Sequence, residues 1–207
     1  MDTTINKTAT ITTSDVPRVR LYGPRRKAPP GVRVNTTSRS KEEWSRELSP
    51  FFLGPVSLYD GLTSNTVEAG WQFSKVYSCH VDSDENPTDK WLAWAQEGWS
   101  QEVGERSPMG KGVKPLYVLW DGQKMDYLTA RTKVYIPLYA NAVVKTDAFA
   151  KLKAIYDQGE NLALFDFDGF DYVDKGLTYT DIINDGTRSM GHAVVIAALL
   201  EGWPLQG

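Results

Sequence analysis

The chain carries a single cysteine, Cys79, and two histidines, His80 and His192. One cysteine excludes an intramolecular disulfide framework and fits a reducing compartment. Two histidines and one thiol cannot build a zinc site of the usual kind, so no metal and no cofactor is expected. No apolar run is long enough to span a bilayer, and the N-terminus lacks the charged start and apolar stretch of a signal peptide. The sequence therefore predicts a cytoplasmic protein without a membrane partner. Neither sign of charge dominates: the net charge is −3 over 207 residues, which gives no global drive toward nucleic acid. Gly-rich phosphate-loop and nucleophile-elbow patterns are missing as well, which argues against ATP hydrolysis and serine-hydrolase chemistry.

Aromatic residues are plentiful, with seven Trp and ten Tyr. They supply core volume or flat surfaces for stacking on bases and sugars. A hydrophobic content of 41% and a charged content of 24% are ordinary globular values.

Residues 1–16 are Thr-rich and polar, with no helical period. They read as a tail or an edge strand. Residues 17–34 combine six basic residues with four prolines and no acid. Residues 1–40 are therefore expected to form an extended arm, which either contacts a nucleic-acid backbone or lies over the body of the protein. The globular domain is expected over 41–207, opening with the capping-box-like Ser40 and Glu43. Short strands are predicted at 51–53, 56–59, 116–120 and 162–167. Helices are predicted at 67–77, 90–102, 123–135, 147–158 and 191–200. Helices outweigh strands, so the predicted class is α+β, a mostly helical single domain with short strands.

The segment Val67–Lys75 carries the most chemical information. On a helix, Glu68, Gln72 and Lys75 share one face, and Trp71 and Phe73 sit beside them. An acid held against apolar surface beside a cation is one way to tune a carboxylate; a salt-bridged helix face is the other reading. Asp121, in Trp120-Asp121-Gly122, is expected at a strand-to-helix turn as an N-cap. Alternation puts Asp166 and Asp168 on one side of a strand end, where they are either solvated or ligand-binding. Arg106, Lys111 and Lys114 lie in a Gly-rich loop and either grip a phosphate or are simply exposed. His192 opens an apolar helix and reads as a satisfied, half-buried histidine.

Several segments, in order, resemble the NADAR (YbiA-like) N-glycosidase family. They are Leu48-Ser49-Pro50-Phe51-Phe52 with Tyr59-Asp60-Gly61, then Val67-Glu68 through Gln72 to Lys75, and then Trp120-Asp121 with Met125, Leu128 and Arg131. Arg188-Ser189-Met190-Gly191 follows. Ala69 stands where that family often has His, and Arg188 where it has Asn. The resemblance implies a hydrolase that cleaves the N-glycosidic bond of a ribosylated base, a nucleotide or an ADP-ribosylated nucleobase. It also implies catalytic roles for Glu68, as general base, and for Asp121. The expected binding residues are Gln72, Lys75, Trp71, Trp120, Asp168, Lys111 and Arg131. A module that binds nucleotide or ADP-ribose without turnover is the alternative.

Overall fold

The computed structural model describes residues 16–205. The elements run β1 (Val19–Tyr22), β2 (Val32–Asn35), α1 (Glu43–Arg46), β3 (Val56–Ser57), β4 (Thr63–Ser64), α2 (Val67–Gln72) and β5 (Lys75–Val76). Then come α3 (Asp89–Trp99), β6 (Tyr117–Trp120), β7 (Gln123–Met125) and α4 (Tyr127–Ala130). A π-helical turn, Arg131–Tyr135, joins α4 to α5 (Ile136–Val143). The chain continues through α6 (Asp147–Asp157), β8 (Leu162–Phe165), α7 (Tyr179–Asn184) and α8 (Ala193–Glu201). This is a single α+β domain with modest helix content and several short strands.

β8 is the middle strand of a parallel sheet of order β1-β8-β2. Leu162, Ala163 and Leu164 are fully buried, the pattern of a strand covered on both faces. Its neighbours come from the segment expected to be an arm. In Val-Arg-Leu-Tyr and Val-Arg-Val-Asn the apolar residues alternate with arginine. Val19, Leu21 and Val34 are buried, while Arg20 pairs with Asp171 and Asp174. Arg18 lies over the Tyr156 ring. The boundary at residue 40 is thereby corrected: the domain takes in β1 and β2, and the prolines fall outside both strands, where no ladder donor is lost. The expected tail or edge strand lies outside the described residues, apart from its last residue, Val16.

α8 packs beside this sheet. Its run Ala-Val-Val-Ile-Ala-Ala-Leu-Leu is apolar on all sides, as suits a buried helix, and Gly202 ends it in the left-handed conformation. A second, smaller core gathers Phe73, Trp91, Trp99 and Leu119 between α2, α3 and β6. Each such side chain contributes about 1.5–3 kcal/mol on burial, so packing rather than propensity holds α3 in place.

Three element expectations are corrected. Residues 51–53 form a turn, not a strand. The helix from Val67 stops at Gln72, because the Ser74 hydroxyl donates back to the Gly70 carbonyl and Lys75 pairs with Val118 in a strand. The span 123–135 is not one helix: β6 and β7 form a hairpin before α4 begins. Asp121 and Gly122 both have positive φ, the geometry that Asp-Gly supplies in a two-residue hairpin turn. The N-cap is Asp126, whose Oδ1 accepts from the Leu128 and Thr129 amides.

Candidate functional site

A cleft of about 930 Å³ opens between α2, the exit of β2, the turn after β8, the segment 186–192 and the loop before β6. Glu68 and Gln72 come from α2. Thr66 caps that helix by accepting from the Ala69 amide, and the Glu68 amide donates to the Pro50 carbonyl at 2.9 Å. Gly104 closes over Glu68: a Cβ at that glycine would stand 2.5 Å from the Glu68 Cβ.

Glu68 is 5% exposed and Gln72 7%. Gln72 Nε2 donates to Glu68 Oε1 at 2.8 Å, and Lys75 Nζ donates to Gln72 Oε1 at 2.5 Å. The expected row of three is therefore a continuous hydrogen-bonded chain, although Lys75 arrives from β5 and not from the helix. The amide orientation follows from its partners, since only the oxygen can face an ammonium. Glu68 Oε2 has no hydrogen-bond partner among the described residues.

Electrostatics pull in two directions here. Burial pushes the Glu68 carboxyl above its ordinary range, opposed by the Gln72 hydrogen bond and by the charges of Lys75, Arg106 and His192. Burial pulls the Lys75 ammonium down to about 8, with Glu68 opposing that shift. Lys75 also stands 4.9 Å from the centre of the Trp71 ring. Trp71 and Tyr135 are neighbours at 5.3 Å, and with Tyr127 they give the cleft one aromatic side.

The turn after β8 also lines the cleft. Asp168 is bonded to Arg106 at 2.7 Å. Burial raises the Asp168 carboxyl above its ordinary range and Arg106 opposes the rise. Asp166, read from the sequence as a strand-end acid, is buried against His192. The strand ends at Phe165, so Asp166 and Asp168 belong to a turn closed by the Gly169 amide on the Asp166 carbonyl. Arg39, Lys114 and Arg188 add cationic groups to the lining.

Glu68, Gln72, Lys75, Trp71, Asp168 and Arg131 are thus brought to one cleft. Arg131 reaches it already engaged. Its guanidinium is fully buried and donates to the carbonyls of Ile182, Ile183, Asp185 and Arg188. Asp121, Trp120 and Lys111 are not part of the lining. Asp121 is exposed at the hairpin tip, Trp120 packs on Tyr59 at 5.1 Å, and Lys111 is exposed on its loop. The carbonyls and acids that engage Arg131, Arg106 and His192 are distant in sequence, so periodicity gave no sign of them. One local signal was available: Gly191 beside His192, where a close backbone approach needs a residue without Cβ.

Among the described residues no group of three or more His, Cys, Asp or Glu is placed to hold a metal ion. No helix among them is long and apolar enough to cross a membrane. No curated protein matches the chain. A family match runs from residue 24 to residue 196, taking in β2, α2, the turn after β8 and the first turn of α8, and by it the chain belongs to the family of unknown function DUF6939.

Proposed function

We propose that the cleft is the active site of an N-glycosidase acting on a ribosylated base, a nucleotide or an ADP-ribosylated nucleobase, with Glu68 as general base. The observation that carries this reading is the buried chain Glu68–Gln72–Lys75 in the lining of a cleft that also carries Trp71, Tyr127 and Tyr135 and the cationic Arg39, Arg106, Lys114 and Arg188. Hydrolysis at an anomeric carbon needs a carboxylate beside the developing positive charge, as in glycoside hydrolysis at oxygen. Glu68 Oε2 takes a proton from the attacking water while Oε1 is held by Gln72. The water oxygen bonds to the anomeric carbon. The carbon–nitrogen bond breaks with its electron pair leaving on the base, which is then protonated. Trp71 offers the surface on which a base stacks. Lys75, Arg106 and Arg188 suit phosphate oxygens.

A binding module without turnover is the second reading. Burial favours it, because a protonated Glu68 cannot accept a proton. A nucleic-acid carrier draws little support from residues 17–34, since Arg18 and Arg20 are engaged within the protein.

The test is incubation with ADP-ribosylated guanosine DNA and with ribosylaminopyrimidine phosphates, following free base and sugar by mass spectrometry. Wild type releases base, and Glu68→Gln is slower by about 10²–10⁴-fold. Equal behaviour of the two proteins across the panel rejects the glycosidase. A ligand retained unchanged selects the binding module.

A further inference from the structure

The loop between α3 and β6 is held to the rest of the protein at very few points. At its start the Gly104 amide donates to the Phe51 carbonyl over a long 3.4 Å, and at its end the Leu116 amide donates to the Val76 carbonyl at 2.8 Å. Between these anchors every residue from 105 to 115 is exposed or half-buried. The main-chain bonds there stay within the stretch, from the Gly110 amide to Ser107 and from the Val113 amide to Gly110. Among the described residues, a single hydrogen bond ties the stretch to another part of the protein: Arg106 Nη2 donates to Asp168 Oδ2 at 2.7 Å. A segment with so few outside contacts belongs to the low end of local stability. Its tip rests on nothing, since a Cβ at Gly112 would meet no atom within 4 Å.

The same loop covers Glu68. That side chain lines the cleft yet is only 5% exposed. A Cβ at Gly104 would stand 2.5 Å from the Glu68 Cβ, 2.9 Å from its Cγ and 3.1 Å from Thr66 Oγ1. The loop backbone therefore lies directly on the acid, and only a residue without Cβ allows it. Two positions further on, the Arg106 charge acts on both Glu68 and Lys75.

An acid covered in this way has to be uncovered before a ligand meets it. The contact that holds the cover is a weak one. The Arg106 side chain is 54% exposed and that of Asp168 30%, so water competes for the bond and salt screens it. Loops that close over a cleft work through such marginal contacts, with a few terminal residues as hinges.

We propose that residues 105–115 form a strap that gates access to Glu68, with Gly104 and Leu116 as its hinges and the Arg106–Asp168 bond as its latch. A ligand must reach Glu68 whether it is hydrolysed or only bound, so the strap goes beyond the glycosidase reading and does not depend on it.

The experiment reads access without a substrate. Cys79 is the sole cysteine and is exposed. Cys79→Ser removes it, and Glu68→Cys then places one thiol beneath the strap. Alkylation of the full chain by iodoacetamide is followed by mass spectrometry. Asp168→Asn and Arg106→Gln are each expected to speed alkylation by about two- to fivefold, the range an exposed ion pair supports. Added salt speeds it with the latch intact and not in either latch variant. Loss of the arginine charge by itself makes a thiol less reactive, and loss of the aspartate charge makes it more so. A rise in both variants therefore reports access.

Trypsin supplies the second measurement, with Glu68 in place, and decides alone if Glu68→Cys folds poorly. Cleavage after Lys111, inside the strap, is expected to quicken by the same factor in both latch variants while the Tm stays at the wild-type value. An unchanged rate in either measurement, a rise confined to Asp168→Asn, or faster cleavage that only follows a fallen Tm overturns the proposal. If the wild type releases no base from any substrate, the glycosidase reading fails and these rates still decide the strap.

Discussion

Replacing Arg131 with methionine separates a structural arginine from a ligand-binding one. The guanidinium donates to Ile183 at 3.0 Å, to Asp185 and Arg188 at 2.9 Å each, and to Ile182 at 3.4 Å. The Ile182 carbonyl also accepts from the Asp185 amide, so it keeps a partner. The Ile183 carbonyl belongs to a buried residue, and stranding it costs about 1–3 kcal/mol. Asp185 is half-buried and Arg188 exposed, so water takes over part of those two bonds and each loss falls to about 1 kcal/mol. Contact with the Tyr127 ring, 4.7 Å from Cζ, adds about 0.5–1 kcal/mol. Against this, Nε is buried without a partner, and methionine removes that cost while filling much of the same space. The balance is a destabilisation of about 3 kcal/mol. For a chain of this size that lowers the Tm by about 6–12 °C.

Urea unfolding followed by tryptophan fluorescence reads the loss directly. Arg131→Lys is expected to rescue little, because one ammonium cannot serve carbonyls spread from Ile182 to Arg188. A loss below about 1 kcal/mol in the methionine variant, or a gain in stability, refutes the reasoning. The bonds would then be replaced by water, or the desolvation of the charge would outweigh them.

Three further outcomes follow from the packing and charge of the cleft. Lys75→Met should be more stable than wild type at neutral pH. A folded-state value of about 8 against 10.5 unfolded means the cost of the buried ammonium is fully present below about pH 8 and fades as pH rises toward 10.5. A stability difference that stays flat across that window in urea titrations refutes the burial of the charge. Glu68→Gln should gain stability over wild type as pH rises from about 4.5 through the raised folded value, because stability from a raised carboxyl is lost in that direction; thermal unfolding at a series of pH values reads it, and a gain that shrinks with pH gives the wrong sign. Gly98→Ala places a Cβ 1.9 Å from the Phe73 ring. The overpacking costs about 1–3 kcal/mol and exceeds the helix-propensity gain of at most about 1 kcal/mol, so a Tm at or above wild type would contradict the tight seating of α3 on α2.

Local pattern made much of this protein legible. The four-residue step from Glu68 to Gln72 survives as a direct hydrogen bond, because both sit on a helix whose start Thr66 caps. α6 and α8 lie where their spacing and flanking glycines put them, and β8 where its apolar run is. Local pattern misled at Asp121-Gly122, where helical spacing further on hid a hairpin signal, and at 17–34, where prolines masked the alternation of two strands. Tertiary structure decided the rest. Parallel pairing of β1 and β2 with β8 joins segments with most of the chain between them, and no local period encodes which strands will meet. The same pairing brings Thr36 to His192 and Asp166 to the start of α8. A sequence determines which residues can share a helix face or a strand face, since that repeat is built into the backbone. Whether a buried acid faces a lysine, an arginine or a histidine depends on which distant elements pack against it, and only the folded chain sets that.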